Sequence, residues 1–337
     1  PTTGPFRGHL GSDAYRSRFS HQDEVVQPGY HALTLQDYGV RAELTATERV
    51  GVHRYTFSRS EEASILFDLG TEVGPSRMSD ACLRRVAEDR LEGYVENDAT
   101  RRRPKPTRIY FVAVLDRPFE TFGAWRDGQI VDGEVGEISG PGCGAYVRYR
   151  VPKGATIQLK VALSYCSVEQ ARLNLEAELP GWDFDAVREE ARETWDRWLG
   201  RIEVQGGTEA RTTKFYTDLY HALLGRRTVS DVDGHYLDNT GEQPVVRRIP
   251  ARRDAAGGAN GAPRYVHHNS DAFWGAQWTL NVLWPLAYPQ KTHDFCNTLI
   301  DVYKNGGLIP RGPTGGSYSF VMIAPTSTPV LVSAYQK

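Results

Sequence analysis

Ser167–Ile202 reads SVEQARLNLEAELPGWDFDAVREEARETWDRWLGRI, and the sequence changes character across it. Phe184, Val187, Ala191, Trp195, Trp198 and Ile202 recur three or four residues apart, which lays one apolar stripe along a helix. Asp183 or Asp185 can cap its start, and Glu189 and Glu190 fall in early turns, where negative charge suits the helix dipole. A helix of this length between two unlike halves reads as a linker.

Upstream the pattern is that of strands. HALTLQDYGVRAELTATERVGVHRYTFS, SILFDLG, RIYFVAVLD, AYVRYRVP and TIQLKVALSY are runs of β-branched and aromatic residues separated by turn formers such as Gly140-Pro-Gly142 and Pro152-Lys-Gly154. In Val52–Phe57 and Thr156–Leu163 apolar and polar residues alternate, the period of a strand with one buried face. Many short strands with no helices between them favour an antiparallel sandwich over a parallel α/β sheet. Downstream, Lys214–Leu224, Ser270–Leu286 and His293–Lys304 carry helical patterns, the last stopped at Asn305-Gly-Gly307. The expected division is a β-sandwich at 1–166, a helical linker at 167–206 and a helical domain at 207–337.

Composition narrows the function. With 337 residues, 40% hydrophobic and 24% charged, the chain has material for about two packed domains. Its net charge of −2 provides no field to attract nucleic acid or an anionic membrane. No apolar run approaches the roughly 18–20 residues of a membrane-spanning helix. The opening PTTGPFRGHLGSD is polar and has no signal-peptide pattern. Cys82, Cys143, Cys166 and Cys296 lie far apart with no C-x-x-C pair, and read as unpaired buried thiols. Zinc-binding, phosphate-loop and nucleophile-elbow motifs are absent from the sequence.

The densest chemistry lies in Tyr265–Trp278, YVHHNSDAFWGAQW. Carbohydrate sites need flat aromatic surfaces for the apolar faces of sugars, and carboxylates or amides for their hydroxyls; this stretch contains both. Asp271, Trp274 and His268 are the candidates, although Ser270 or Asp271 could equally be a helix cap and Trp274 with Trp278 a core face. Arg311, in the rigid loop Pro310–Gly316, could bring a fixed charge to a ligand, or could be an ordinary surface arginine. Ser230–Tyr236 (SDVDGHY) suggests a calcium loop but fails the spacing: with Asp231 as position one, Tyr236 stands where the sharp-turn glycine belongs. It reads instead as a turn whose side chains bond its own backbone. Arg101-Arg-Arg-Pro-Lys-Pro106 is basic but has no interleaved aromatics, and reads as a solvated loop.

Six ordered motifs together resemble glycoside hydrolase family 92. They are Ser17–Tyr30; Ala42–Thr47 with His53–Phe57; Tyr110–Ala113 with Pro118-Phe119; Pro180–Asp185; Phe215–His221; and Asp231–Gly234. The resemblance spans nearly the whole chain. It implies an N-terminal antiparallel β-sandwich, a helical linker and the beginning of an (α/α)6 barrel. It also implies a secreted, exo-acting, calcium-dependent α-mannosidase that acts on mannose-containing glycans with inversion. In such a single displacement one carboxylic acid protonates the leaving oxygen while a carboxylate activates water on the opposite face.

Carried over residue by residue, the resemblance assigns no catalytic residue and no calcium ligand to this sequence. One expected motif would precede Pro1, and the acid, base and most ligands belong to motifs expected beyond Lys337, so the chain reads as truncated at both ends. Its expected contribution is substrate recognition through Asp271, Trp274, His268 and Arg311. The chain also departs from the family pattern: Trp274-Gly275 stands where many relatives have Trp-Asp, and Ala324–Thr328 (APTST) where they have an acidic residue and a histidine. An altered leaving-group side would suit a mannosyl phosphodiester substrate. The competing readings are a non-catalytic mannose-binding module and a phosphate-dependent glycoside phosphorylase.

Overall fold

The computed structural model describes residues 1–337 except Val73, Pro75, Glu134, 254–258, Asp271, Ala272 and Lys337. The chain forms two compact units, Pro1–Asp98 with Arg108–Glu193, and Ala99–Thr107 with Thr194–Lys337. The division falls inside the helix Phe184–Leu199.

The first unit is built on two antiparallel sheets. In the larger, nine strands run in the spatial order Glu137–Ser139, Met78–Arg85, Arg90–Asn97, Thr107–Leu115, Thr156–Ser164, Val50–Phe57, Val40–Ala46, Tyr30–Leu35 and Val25–Gln27. In the smaller, the long strands Glu61–Asp68 and Cys143–Val151 pair from Asp68↔Gly144 to Glu61↔Val151. Between the sheets lies a core that includes Phe57, Ile65, Leu83, Leu91, Leu115, Val147, Ile157 and Leu159. The strands expected from β-branched runs all form.

The alternation with one buried face is incomplete, because the larger sheet buries both. Its outer face carries Tyr30, Val50, Val52, Val112, Val114 and Ala162, covered by Ala171, Leu175, Leu179, Phe184 and Val187 from the helices Val168–Glu178 and Phe184–Leu199. Thr107–Leu115 therefore alternates between two cores: Phe111, Ala113 and Leu115 point one way, Val112 and Val114 the other. A strand covered on both sides reads as a continuous apolar run, which is why IYFVAVL has no polar face.

Charge on the covered face is matched. Arg54 donates to both oxygens of Glu43 at 2.8 Å and to Asp185 at 2.9 and 3.1 Å. Arg49 reaches Glu178 at 2.6 Å, and Arg172 holds Glu92, itself 1% exposed, at 2.6 and 2.5 Å. Lys160, 4% exposed, has no carboxylate partner among the described residues: its Nζ donates to the Leu179 carbonyl at 3.1 Å and lies 3.9 Å from the centre of the Trp182 ring. Burial lowers its pKa to about 8. Of the two candidate caps, Asp183 takes the position, accepting from the Ala186 amide at 2.9 Å.

The second unit contains the helices Glu209–Leu224, Leu280–Ala287, Pro289–Gly306 and Ser327–Gln336, with short hairpins between them. Pro289–Gly306 ends where the glycines predict, with Gly307 left-handed at φ 82° and its amide bonded to the Tyr303 carbonyl. The helix expected over Ser270–Leu286 is a correction: helix begins only at Leu280. Residues 274–279 instead make successive turns, with Ala276 bonded to the Phe273 carbonyl and Thr279 to that of Ala276, both across three residues. Those bonds replace the four-residue ladder of an α-helix. The four cysteines are free, as expected.

Candidate functional site

Strand pairing inside the second unit sets the candidate site. His268–Asn269 pairs antiparallel with Arg227–Thr228. Val229 donates to the His267 carbonyl at 2.9 Å, and the His267 amide returns a bond to Ser230 Oγ at 3.1 Å. The helix Pro289–Gly306 turns one polar face toward this segment. Thr298, Asp301 and Asn305 lie three and four residues apart, so they share that face. Thr298 Oγ1 accepts from the His268 amide at 3.1 Å. Asp301 Oδ2 accepts from Tyr265 OH at 2.5 Å and meets His267 Nε2 at 3.0 Å. Asn305 donates to Tyr236 OH at 3.3 Å, and the Tyr236 ring stacks on His267 with centroids 3.9 Å apart. Burial first, and the Asp301 carboxylate second, push the Tyr265 phenol well above its usual range, so it stays a proton donor.

Thr298, Asp301 and Asn305 are legible in the sequence as polar residues at helical spacing beside the apolar Phe295, Leu299 and Val302. The cavity they border, lined among others by Tyr236, Asp238, His267, His268, Asn269 and Asn305, has a volume of about 20 Å³. That is room for one water-sized guest, and far too little for a sugar ring.

His268 itself is enclosed at 2% exposure, its ring edge against Phe295 at 6.4 Å. Neither ring nitrogen has a hydrogen-bond partner among the described residues. Burial, reinforced by Lys291, His267 and Arg226, lowers its pKa to about 3, so the ring is neutral at physiological pH. Just before the paired strand Arg227–Thr228, Arg226 is 7% exposed. Its guanidinium donates to Asn281 Oδ1 at 2.5 Å and lies over the rings of Phe295 and Trp284 at 4.3 and 4.5 Å. Nη1 has no partner among the described residues, and burial lowers the pKa to about 10, which leaves the charge in place.

Trp274 and Trp278 do come together, edge to face with centroids 5.4 Å apart, and are 42% and 64% exposed. They share this contact through the turns of 274–279 rather than through a helix. Arg311 is exposed and donates to the Met322 carbonyl at 2.7 Å, across its own loop. That loop folds into the hairpin Pro313–Thr314/Ser317–Tyr318, where Gly316 is required: φ is +73° and a Cβ would lie 2.4 Å from the Leu237 carbonyl oxygen. Among the described residues no hydrogen bond or ring contact joins His268, Trp274 and Arg311 to one another, and Asp271 lies outside those residues. Ser230–Tyr236 is the expected self-bonded turn: Gly234 donates to the Asp231 carbonyl at 2.9 Å, and Asp233 accepts from the His235 amide at 3.2 Å.

The residues present do not fit a calcium site. Among the described residues no three His, Cys, Asp or Glu side chains converge to hold a metal. Asp238 is occupied by Arg247 at 2.6 Å, and Asp301 by Tyr265 and His267. Ca²⁺ wants six to eight oxygens in one shell, and neither of these carboxylates stands in such a shell among the described residues.

Sequence and fold together define a chain in which an antiparallel sheet-rich domain is followed by a helical region. The model of the glycosyl hydrolase family 92 N-terminal domain matches residues 1–164, and that of the family's catalytic domain matches residues 170–337. The chain belongs to glycosyl hydrolase family 92. A family GH92 alpha-mannosidase from Bacteroides thetaiotaomicron superimposes with a TM-score of 0.86 at 23% identity, covering 100% of this chain and 46% of that one. A family GH92 inverting mannosidase from Bacteroides thetaiotaomicron VPI-5482 superimposes at 0.81 with 22% identity, covering 95% and 40%. An uncharacterized secreted glycosidase of Arthroderma benhamiae is 27% identical over 271 residues, 69% of this chain and 32% of the relative. The chain thus spans less than half the length of each of these proteins. No helix among the described residues is long and apolar enough to cross a membrane.

Proposed function

We propose that the protein is a secreted exo-α-mannosidase that removes terminal α-linked mannose from glycans by an inverting single displacement with calcium. Support comes from the family match along both halves of the chain, together with neighbours whose names describe α-mannosidases. Within that enzyme the chain supplies a sandwich (1–166), a helical linker (167–206) and the first part of an (α/α)6 barrel (207–337). The acid and base are assigned to none of its residues.

Its contribution to the site is recognition. The half-exposed Trp274 ring offers an apolar surface to one face of the sugar, with Asp271 and Arg311 as hydroxyl contacts. His268 lies in the strand that leads into Asp271, held there by its backbone amide on Thr298 Oγ1, and its enclosed ring would reach sugar only if the segment opened. The Trp274-Gly275 and Ala324–Thr328 departures favour a mannosyl phosphodiester, whose phosphate leaves without strong acid assistance.

The test is mannose release from methyl α-mannoside and from a mannosyl phosphodiester, followed by NMR. Inversion requires β-mannose as the first product, and calcium chelation should abolish turnover. Retention of configuration, or no mannose from either substrate, would refute the reading; turnover only with added phosphate would indicate a phosphorylase. Trp274→Ala is expected to raise KM roughly tenfold, about 1.4 kcal/mol of lost binding, with little change in thermal stability.

A further inference from the structure

Three side chains of the second unit are more than nine-tenths buried and carry polar atoms with no partner among the described residues. Arg226, 7% exposed, leaves Nη1 unbonded; Asn281, at 2%, leaves Nδ2; His268, at 2%, leaves both ring nitrogens. Buried polar groups are bonded as a rule, so such a set calls for a physical reason.

The fold brings the three together. Thr228 pairs with His268 and Arg227 with Asn269, so Arg226 and His268 fall on the same face of that ladder as diagonal neighbours. Both meet the Phe295 ring, the guanidinium at 4.3 Å and the imidazole at 6.4 Å between centroids. Asn281 joins them through its Oδ1, which accepts from Arg226 Nη2 at 2.5 Å. Nη1 and Nδ2 each share a carbon with one end of that bond, which keeps these two unpartnered donors close.

The chemistry of the set is one-sided. Nη1 and Nδ2 can only donate, and a neutral imidazole has one N–H to give. Arg226 keeps its charge, and Lys291 adds positive potential at His268. Cys296 acts on the guanidinium, but burial pushes its thiol up to about 11, so it supplies no counter-charge. No carboxylate pairs with Arg226 among the described residues. A water accepting from Nη1 and Nδ2 would leave the buried charge uncompensated, whereas a monatomic anion accepts from every donor and cancels it.

We propose that Arg226, Asn281 and His268 bind one chloride ion, which accepts from all three and neutralises the guanidinium. The site does not rest on the glycosidase reading. Bound there, the ion ties the strand His268–Asn269 to the helix Leu280–Ala287, which carries Asn281.

The test follows thermal unfolding of the intact protein as sodium chloride replaces sodium methanesulfonate, at constant ionic strength and constant calcium. Chloride at ten times its dissociation constant should raise the melting temperature by about 3–6 °C in a unit of this size. Crystals soaked in bromide should show an anomalous peak within hydrogen-bonding distance of Arg226 Nη1 and Asn281 Nδ2. Asn281→Asp keeps the bond from Nη2 and supplies an internal carboxylate, so it should melt at one temperature in both salts. Arg226→Met should also lose the response; if it fails to fold, Asn281→Asp decides alone. Identical wild-type melting in the two salts, no bromide peak beside Arg226, or a full chloride response in Asn281→Asp would overturn the proposal.

Discussion

Lys160 in the first unit and Arg226 in the second are both enclosed cations with no carboxylate partner among the described residues; Lys160 leans on one aromatic ring and one oxygen, Arg226 on two rings and one oxygen. The outcomes differ because the groups differ. Lysine can escape the cost of burial by losing its proton, and its pKa falls to about 8, within reach of physiological conditions. Arginine cannot: lowered only to about 10, Arg226 stays charged and keeps Nη1 unpaired. The first unit has therefore placed the cation that can relax on its covered sheet face. The second has committed to a permanent charge among Phe295, Trp284 and Asn281.

The largest effect should come from Arg226. Arg226→Ala removes the stem that fills the space between Phe295 and Trp284 and strands Asn281 Oδ1, for an expected loss of about 3 kcal/mol in denaturant unfolding. Arg226→Met keeps the stem and deletes the charge, and should be within about 1 kcal/mol of wild type or more stable. If the alanine variant were as stable as wild type, the contrast between the two cations would collapse.

A somewhat smaller effect is expected from pH. The folded pKa of Lys160 lies below the ordinary lysine value, so between about pH 8 and about 10.5 the unfolded chain binds more protons than the native one. Stability from this group therefore rises with pH across that window, by about 2–3 kcal/mol at most, and is flat below it. Lys160→Met should remove the rise, whereas Arg226→Met should leave it intact. Melting curves from pH 7 to 10 on the three proteins check this, and a rise that survives in Lys160→Met would assign it to another group.

The smallest test compares one helix cap in each unit. Ser167 accepts from the Gln170 amide at 3.2 Å and is partly buried, while Thr208 accepts from Arg211 at 3.4 Å in full solvent. Ser167→Ala should cost about 1 kcal/mol and Thr208→Ala about half that.

The sandwich was legible because β-branched runs and turn residues are local signals. Its double burial was not, because the helices that cover the outer face come later in the chain and Lys160 and Arg54 look like solvent-side residues. The polar half of Ser270–Leu286 misled for the opposite reason: tryptophans four apart match a helix, yet three-residue turns bring the same rings together. At the site, the chemistry of His268 is legible in the sequence but its enclosure is not. Asp301, seen only as part of a helix, organises Tyr265 and His267. Burial and partnership are long-range properties, and no window of sequence contains them.

Strand Thr156–Ser164 pairs Lys160 with Val52 and Leu159 with His53. Where a sheet is apolar on both sides, hydrophobicity no longer distinguishes one alignment from the next, since a one-residue slip exchanges two oily faces. Lys160 breaks that symmetry. Slipped by one, its ammonium would enter the sandwich interior beside Phe57 and Leu115, far from the carbonyl and indole that accommodate it. A side chain that weakens the native fold thus makes the neighbouring misfold worse still, and acts as the alignment mark for the centre of the sheet.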